Sequence, residues 1–387
     1  MKPSSRTDFP RAHYIRSNAQ FAAAAEQIAR ELVHDPLLAV DTEANSMYAY
    51  RERVCLIQLS TRSTDYIVDP LSGIDIAPLG EFFADSAIEK VFHAAEYDLI
   101  CLLRDFGFTF SNLFDTMIAA RVCGTKNFGL GPLLNEIFGV EADKSHQRDD
   151  WGARPLSAES LLYAQMDTHY LPMLRDHFAD LLSQLGRWED AVEQFAYASQ
   201  VDLVLREFDP EGYWRLAIPN QLTRRQTAVL RELYLMREEM ARDRDVPPFK
   251  VIQDKTLVAL AQQEPESLAD LEQISYGQTR RIGLAVLEAI KRGKVTRIPN
   301  PPQPDPPDDP AVVDRYSALR EWRKNRALER GVESDVIVPR EALWTLALEF
   351  PDSVDKMVHI QGLGPWRLNA YGVDILAVLN RFRAGQP

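Results

Sequence analysis

Two apolar rhythms alternate along the first half of the chain. From Phe21 to Leu32 apolar positions recur at helical spacing behind the cap candidates Ser17 and Asn18, which predicts an opening helix. The rhythm then shortens. LLAVDTEA (Leu37 to Ala44), RVCLIQLS (Arg53 to Ser60) and DYIVD (Asp65 to Asp69) are aliphatic or β-branched runs between polar turns, and each predicts a strand. IEKVFHAA (Ile88 to Ala95) predicts another. Helical spacing returns over Tyr97 to Phe106, Asp115 to Cys123, Leu130 to Phe138 and Ser160 to Leu182. Strands first, then strands mixed with helices, predict an α/β domain over residues 1–205 built on one mixed central sheet.

Strand signals vanish in the second half. Residues 215–297 open on QLTRRQTAVLRELYLMREEMARDRD, a long amphipathic helix stopped by Pro247 and Pro248, and continue as short helical segments. Residues 298–310 (IPNPPQPDPPDDP) are proline-dense and predict a stiff, extended linker. Residues 311–387 repeat the earlier order: a long charged helix, a proline (Pro339), an aliphatic helix, and a glycine turn before a last helix. Two small all-α domains, diverged copies of one module, are expected.

The chain has 387 residues, more than one ordinary core needs, and its 45% hydrophobic and 26% charged residues fit a folded protein rather than a disordered one. Net charge is −13, against the usual sign for a nucleic-acid binder. The charge is unevenly spread. Arg215 to Arg297 holds 15 basic and 11 acidic residues, +4, which leaves −17 for the remainder. Cys55, Cys101 and Cys123 show no paired spacing, so neither a disulfide framework nor a zinc site is expected, and a reducing cytoplasmic compartment fits. The N-terminal MKPSSRTDFPRAHY lacks the pattern of a signal peptide, and no run is long enough to cross a membrane.

Chemistry concentrates in four acids. Asp41 and Glu43 stand two apart at the end of a strand, so both face one side of the sheet. Paired acids at a buried strand end repel each other unless a cation sits between them, and oxygen donors suit a hard divalent ion. Alone, the pair also reads as a solvated strand end. Asp98 follows the next strand and begins a helix, where an acid is also favoured by the helix dipole. Asp167 lies four residues after Tyr163, which puts phenol and carboxylate on one helical face; alone, Tyr163 reads as a packing tyrosine.

Taken together, VDTEA, FHAAEYD and YAQMD supply Asp-x-Glu, Asp and Tyr-x-x-x-Asp in one order and setting. In these motifs the first half resembles the exonuclease domain of ribonuclease D, of the tyrosine-bearing DEDDy branch. Leu162 stands where the sister DEDDh branch has histidine, and His169 is out of register for that role. The resemblance implies a ribonuclease H-like domain that hydrolyses RNA from its 3′ end to 5′-mononucleotides, with two divalent ions, Mg²⁺ or Mn²⁺, at Asp41, Glu43, Asp98 and Asp167. It further implies that Asp41, Glu43 and Asp167 ligate the nucleophile-side ion. Asp41 would bridge to the second ion near Asp98, and Tyr163 would orient the attacking water. His93, near Asp98, reads either as a nucleotide contact or as a structural histidine, and is left out of the catalytic set.

FDTMIAARVCG (Phe114 to Gly124) and DKSHQRDDWGARPLS (Asp143 to Ser157) also resemble ribonuclease D. In the second stretch Lys144, Gln147, Trp151 and Arg154 are candidate RNA contacts, although Trp151 and Pro155 equally suit packing of the loop onto the sheet. The two helical segments resemble the helicase-and-ribonuclease-D C-terminal (HRDC) module. PPFKVIQDKTLVALA and ISYGQTRRIGLAVLEAIKRG carry the likeness in the first copy, VIVPREALWTLA and IQGLGPWRLNAYG in the second. Arg280, Arg281, Lys291 and Arg292 form either an RNA-facing stripe or a solvated face. Gly362-Leu363-Gly364 opens either a phosphate-receiving helix N-terminus or a plain turn. The family resemblance implies precursor transfer RNA with extra 3′ nucleotides as substrate, and a monomer is favoured. A DNA-directed 3′–5′ exonuclease and a catalytically silent RNA-binding scaffold are the competing readings.

Overall fold

Six strands form one mixed sheet among the residues described by the computed structural model, which are 10–141, 145–203, 208–217, 221–279, 281–302 and 309–383. Lys144, Arg280 and positions 303–308 of the proline-dense linker lie outside them. The strands are β1 (His13–Ile15), β2 (Leu37–Ala44), β3 (Val54–Ser60), β4 (Asp65–Val68), β5 (Glu89–Phe92) and β6 (Leu113–Asp115), in the order β1-β4-β3-β2-β5-β6. β3 and β4 are antiparallel, whereas β1 runs parallel to β4, and β5 parallel to both β2 and β6.

Because β2 is central, its Leu-Leu-Ala-Val run is buried on both faces, as central parallel strands require. Leu38 and Val40 join the core beneath α1 (Asn18–His34), with Phe21, Ile28 and Leu32. Leu37 and Ala39 face the opposite core. Strand alternation carries this pattern into the acidic end of β2: Asp41 and Glu43 continue the parity of Leu37 and Ala39, and Thr42 that of Val40.

Among the described residues, seven further helices complete the α/β domain: α2 (Leu79–Ala84), α3 (Glu96–Phe106), α4 (Thr116–Cys123), α5 (Leu130–Phe138), α6 (Ala158–His169), α7 (Leu171–Gln184) and α8 (Trp188–Ala198). The single helix expected over Ser160 to Leu182 is two. Tyr170 separates them, and Pro172 occupies the first turn of α7, where its missing N–H costs no helix bond. β1 and β6 escape sequence reading because three residues are too few for alternation to register.

The first helical module comprises α9 (Arg224–Asp243), α10 (Pro248–Val251), α11 (Asp254–Gln263), α12 (Leu268–Thr279) and α13 (Gly283–Val295); the second comprises α14 (Pro310–Arg330), α15 (Ser334–Ile337), α16 (Arg340–Glu349) and α17 (Pro365–Arg383). Their frames coincide at one constant interval. Leu233, Ala241, Ile252, Leu257 and Leu260 of the first core correspond to Leu319, Ala327, Val338, Leu343 and Leu346 of the second. Arg237 donates to the Ile252 carbonyl at 3.1 Å, and Arg323 to the Val338 carbonyl at 2.8 Å. Glu264 and Phe350 each close a helix in the left-handed conformation.

The fold regroups these segments. Ala44–Arg53, between β2 and β3, clusters with the first module, whereas the second module clusters with the α/β domain. In that second grouping Arg330 donates to Asp190 at 2.7 Å, and Arg121 reaches Glu333 at 2.9 Å and Asp335 at 2.5 Å. Glu193 accepts from the N–H groups of Trp366 and Arg367 at 2.6 and 3.2 Å. That contact corrects the phosphate-receiving reading of Gly362-Leu363-Gly364: the amides at the start of α17 already hold an anion from the chain itself. A Cβ on Gly364 would lie 2.3 Å from the Glu193 carboxyl, so the close approach needs glycine. No described helix is long and apolar enough to cross a membrane.

Candidate active site

The ends of β2 and β5 meet the exposed flank of α6 in a cleft of about 640 Å³. Two faces of α6 do different work. Ser160, Ala164, Gln165 and Thr168 turn inward. Asp65 on β4 accepts from Ser60 and Gln165 at 2.7 Å and engages His169 at 2.8 Å, and with the Ser60 hydrogen on Asp65 the Ser60 oxygen, 2.8 Å from the Thr168 hydroxyl, is left to accept from it. With that side tied to the sheet, Glu159, Leu162, Tyr163, Met166 and Asp167 are left to line the cleft, at the i, i+3, i+4 spacing of one helical face.

Asp41, Thr42 and Glu43 enter from β2. Asp98 is placed by the β5–α3 turn and fixed by the Thr42 hydroxyl, which donates to it. His93 at the end of β5, Gly129 to Pro132 and Leu134 around the start of α5, and Glu141, His146 and Gln147 complete the walls.

The four acids carry one another's charge. Asp41 and Glu43 are open to the cleft on one side, yet the protein around them is dense enough to desolvate both. Burial holds the Asp41 carboxyl well above its ordinary range, and Asp98, Asp167 and Glu43 push it further. Glu43 is driven to about 9 by burial, with Asp167 and Asp98 adding to it. Asp98 rises to about 7 through burial, against the Thr42 hydrogen bond. Asp167 rises to about 7 through burial and Asp98, partly offset by the Tyr163 hydroxyl. Burial and the acids also push the Tyr163 phenol far up, so it stays protonated. Among the described residues, the leading charged groups behind the carboxylate shifts are all acids. Among the described residues no three acidic, histidine or cysteine side chains are gathered tightly enough to enclose an ion. Like charges push such side chains apart, and a cation between them would draw them in.

Three of the four acids and Tyr163 therefore line one cleft, with Asp98 coupled to them through Thr42 and charge. Gln147 lines it as well. Trp151 and Arg154, candidate RNA contacts, turn inward, which for Trp151 is the packing alternative. Trp151 is 1% exposed and packs with Cys55, Leu56, Ile67 and Ala164. Arg154 grips both oxygens of Asp69 at 2.7 Å and donates to the carbonyls of Trp151, Ala153 and Cys55. A loop crossing the sheet buries backbone carbonyls that need donors, and Arg154 supplies them. Sequence reasoning missed Glu159 and Met166, although their spacing from Tyr163 was visible, together with Glu141, and Gly129 to Pro132 and Leu134, which carry no chemical signal.

A sheet-end carboxylate cluster with a helix-borne tyrosine defines a nuclease of the 3′–5′ exonuclease class. Residues 14–183 match the 3′–5′ exonuclease family model, and residues 226–290 and 313–379 match the HRDC domain. The chain is 31% identical to ribonuclease D of Gluconacetobacter diazotrophicus over 98% of its own length and 95% of that protein. It belongs to the ribonuclease D family and is a 3′–5′ exoribonuclease. Among solved structures it is similar to Escherichia coli RNase D, described as an exoribonuclease involved in structured RNA processing, at 25% identity and a TM-score of 0.65 over 96% of this chain and all of that one. The catalytic core of RRP6 from Trypanosoma brucei is 27% identical, with a TM-score of 0.65 over 74% of this chain and 80% of that one.

Proposed function

We propose that the chain trims extra nucleotides from the 3′ ends of precursor transfer RNA, and that Asp41, Glu43, Asp98 and Asp167 hold two divalent ions, Mg²⁺ or Mn²⁺. The observation that supports the metal reading is the cluster itself: four desolvated carboxylates, three of them (Asp41, Glu43 and Asp167) raised further by acids of the cluster, with acids as the leading charges among the described residues. An all-oxygen donor set of this charge fits a hard divalent cation better than zinc. When bound, the ions supply charge neutralisation to the phosphoryl oxygens and the leaving oxygen.

The chain's own groups do the rest. Asp41 and Glu43, fixed in parity by β2, and Asp167, fixed by α6, set where the scissile phosphate lies. Asp98 is oriented by Thr42. Tyr163 keeps its proton, so its role is to orient the attacking water by hydrogen bonding rather than to act as general base. A transfer RNA precursor suits a family whose E. coli relative is described by its processing of structured RNA.

The test is a timed digestion of 3′-labelled and 5′-labelled precursor transfer RNA and matched single-stranded DNA, with added metal and with chelator. Mononucleotide release from the RNA 3′ end only with metal, abolished in Asp41→Asn, is the expected result. Metal-dependent activity retained in that variant removes the ligand assignment. Equal digestion of DNA favours the DNA-directed reading.

A further inference from the structure

His93 closes β5 and shares the cleft wall with Asp41, Glu43, Tyr163 and Asp167. Its Nδ1 lies 2.9 Å from the Thr116 hydroxyl, which in turn donates to the Phe92 carbonyl at 3.0 Å. A hydroxyl has one hydrogen, so with that hydrogen on Phe92 the threonine oxygen can only accept from the ring. With the hydroxyl hydrogen so placed Nδ1 carries the proton, and Nε2, which has no hydrogen-bond partner among the described residues, is the acceptor that His93 can offer where it lines the cleft. Thr116 is fully buried, which keeps water from exchanging for either partner.

The backbone holds this arrangement. The Asp115 carboxylate accepts from the N–H groups of Ala94 and Ala95 at 3.2 and 2.8 Å, and from Met117 and Ile118 at 2.8 and 3.1 Å. Ala94 sits at φ 64, a left-handed conformation that a residue with a Cβ adopts only when its surroundings impose it. Four amides on one carboxylate impose it here, and the same turn aims both His93 and α3. Burial holds the imidazole below its ordinary pKa, which favours the neutral ring.

A bare ring nitrogen repels phosphate oxygens and pairs with O–H or N–H groups. Base donors differ from nucleotide to nucleotide, whereas ribose hydroxyls are on every one and lie between phosphate and base. We infer that His93 is a substrate-contacting residue whose Nε2 accepts a hydrogen bond from a hydroxyl of the 3′-terminal ribose. This deepens the proposed function and rests on the exonuclease reading of the cleft.

The experiment measures kcat/KM of the full chain with Mg²⁺ on three RNA oligonucleotides that differ only at the last sugar: ribose, 2′-deoxyribose or 3′-deoxyribose. Wild-type protein should lose about tenfold on one deoxy end, and which one identifies the hydroxyl. His93→Ala should lose about as much on the ribose end, mainly in KM, and nothing more on that deoxy end. His93→Gln, which can present its amide oxygen, should recover part of the loss. Thr116→Val, which frees the ring, should discriminate less than wild type. A ¹⁵N spectrum of the wild-type histidines should show an unprotonated Nε2 at His93. Equal impairment of His93→Ala on all three ends, no impairment, or a protonated Nε2 overturns the inference while leaving the exonuclease reading intact. Failure of wild-type protein to digest any of the ends overturns that reading and this inference with it.

Discussion

Asp190 and Asp41 are acids within one unit of the molecule, and their surroundings treat them in opposite ways. Asp190 is 0% exposed, receives the Arg330 guanidinium at 2.7 Å and accepts from Gln194 at 2.8 Å. Asp69 is handled similarly, clasped by Arg154 and by the Tyr14 hydroxyl at 2.7 Å. Asp41, Glu43, Asp98 and Asp167 have one another. The scaffold thus supplies a cation where a buried carboxylate holds elements together, whereas among the described residues the leading charges acting on the four cleft carboxylates are other acids. Mutual repulsion is a stability cost, and its confinement to the cleft marks those acids as functional.

The largest expected effect breaks the clasped side. Asp190→Ala leaves Arg330 with its charge mostly buried and its main partner gone, a change that costs about 3–5 kcal/mol in other buried pairs. Denaturant unfolding should show the loss. A cost below about 1 kcal/mol would mean that the arginine finds water, and that the two regions differ less than their geometry says.

The next prediction concerns pH. Asp98 and Asp167 near 7 and Glu43 near 9 hold protons that the unfolded chain releases near its ordinary carboxylate values. Between these limits the folded state binds more protons than the unfolded state, so stability falls as pH rises. In chelator the melting temperature should therefore drop from about pH 4.5 to pH 9, and ions that bind the ionised cluster should flatten or reverse the trend. A melting temperature that rises over that window in chelator contradicts the cluster's electrostatics.

A smaller effect of opposite sign is expected for Asp41→Asn. An amide at this position needs neither a proton nor a counter-charge, so the substitution should stabilise the metal-free protein at pH 8 by about 1–2 kcal/mol, while hydrolysis is lost. Stabilisation with loss of activity is the signature that separates this acid from Asp190, and denaturant unfolding in chelator reads it directly.

Where sequence reading succeeded, a periodic signal coincided with chemistry. β2 runs Leu37–Ala44 as expected because a buried aliphatic run ends in two acids of one parity, and Tyr163 with Asp167 shares a face because the spacing is four. It failed where the cause lies in distant partners. Nothing local in DKSHQRDDWGARPLS says that Arg154 will turn to Asp69, 85 positions away, or decides between RNA contact and packing for Trp151, which the fold buries. The start of α17 is similar: Gly-Leu-Gly permits a phosphate, and only the fold brings Glu193 to the amides. Asp115 and Thr116 were legible as a helix start but not as the clamp on the β5–α3 turn.

The smallest prediction extends the comparison to cations. Arg281 and Arg367 fall at the same place in the two helical modules. Arg367 is 2% exposed and donates to the carbonyls of Ile337, Val336 and Gly362 at 3.0, 3.1 and 3.2 Å, so it serves the module's interior. Arg281 is exposed. Arg292, nearby in sequence, is engaged by Glu232 and Glu288. If Arg281 meets RNA phosphate, Arg281→Ala should leave stability within about 0.5 kcal/mol and lower the slope of log affinity against log salt by about 1 for long RNA. Cleavage of a dinucleotide, too short to reach beyond the cleft, should be unchanged. Arg367→Ala should do the reverse, lowering the melting temperature through three carbonyls left without their donor, with the salt slope intact. An unchanged salt slope in Arg281→Ala would make that arginine part of a solvated face, and the two modules would then differ only in what they pack against.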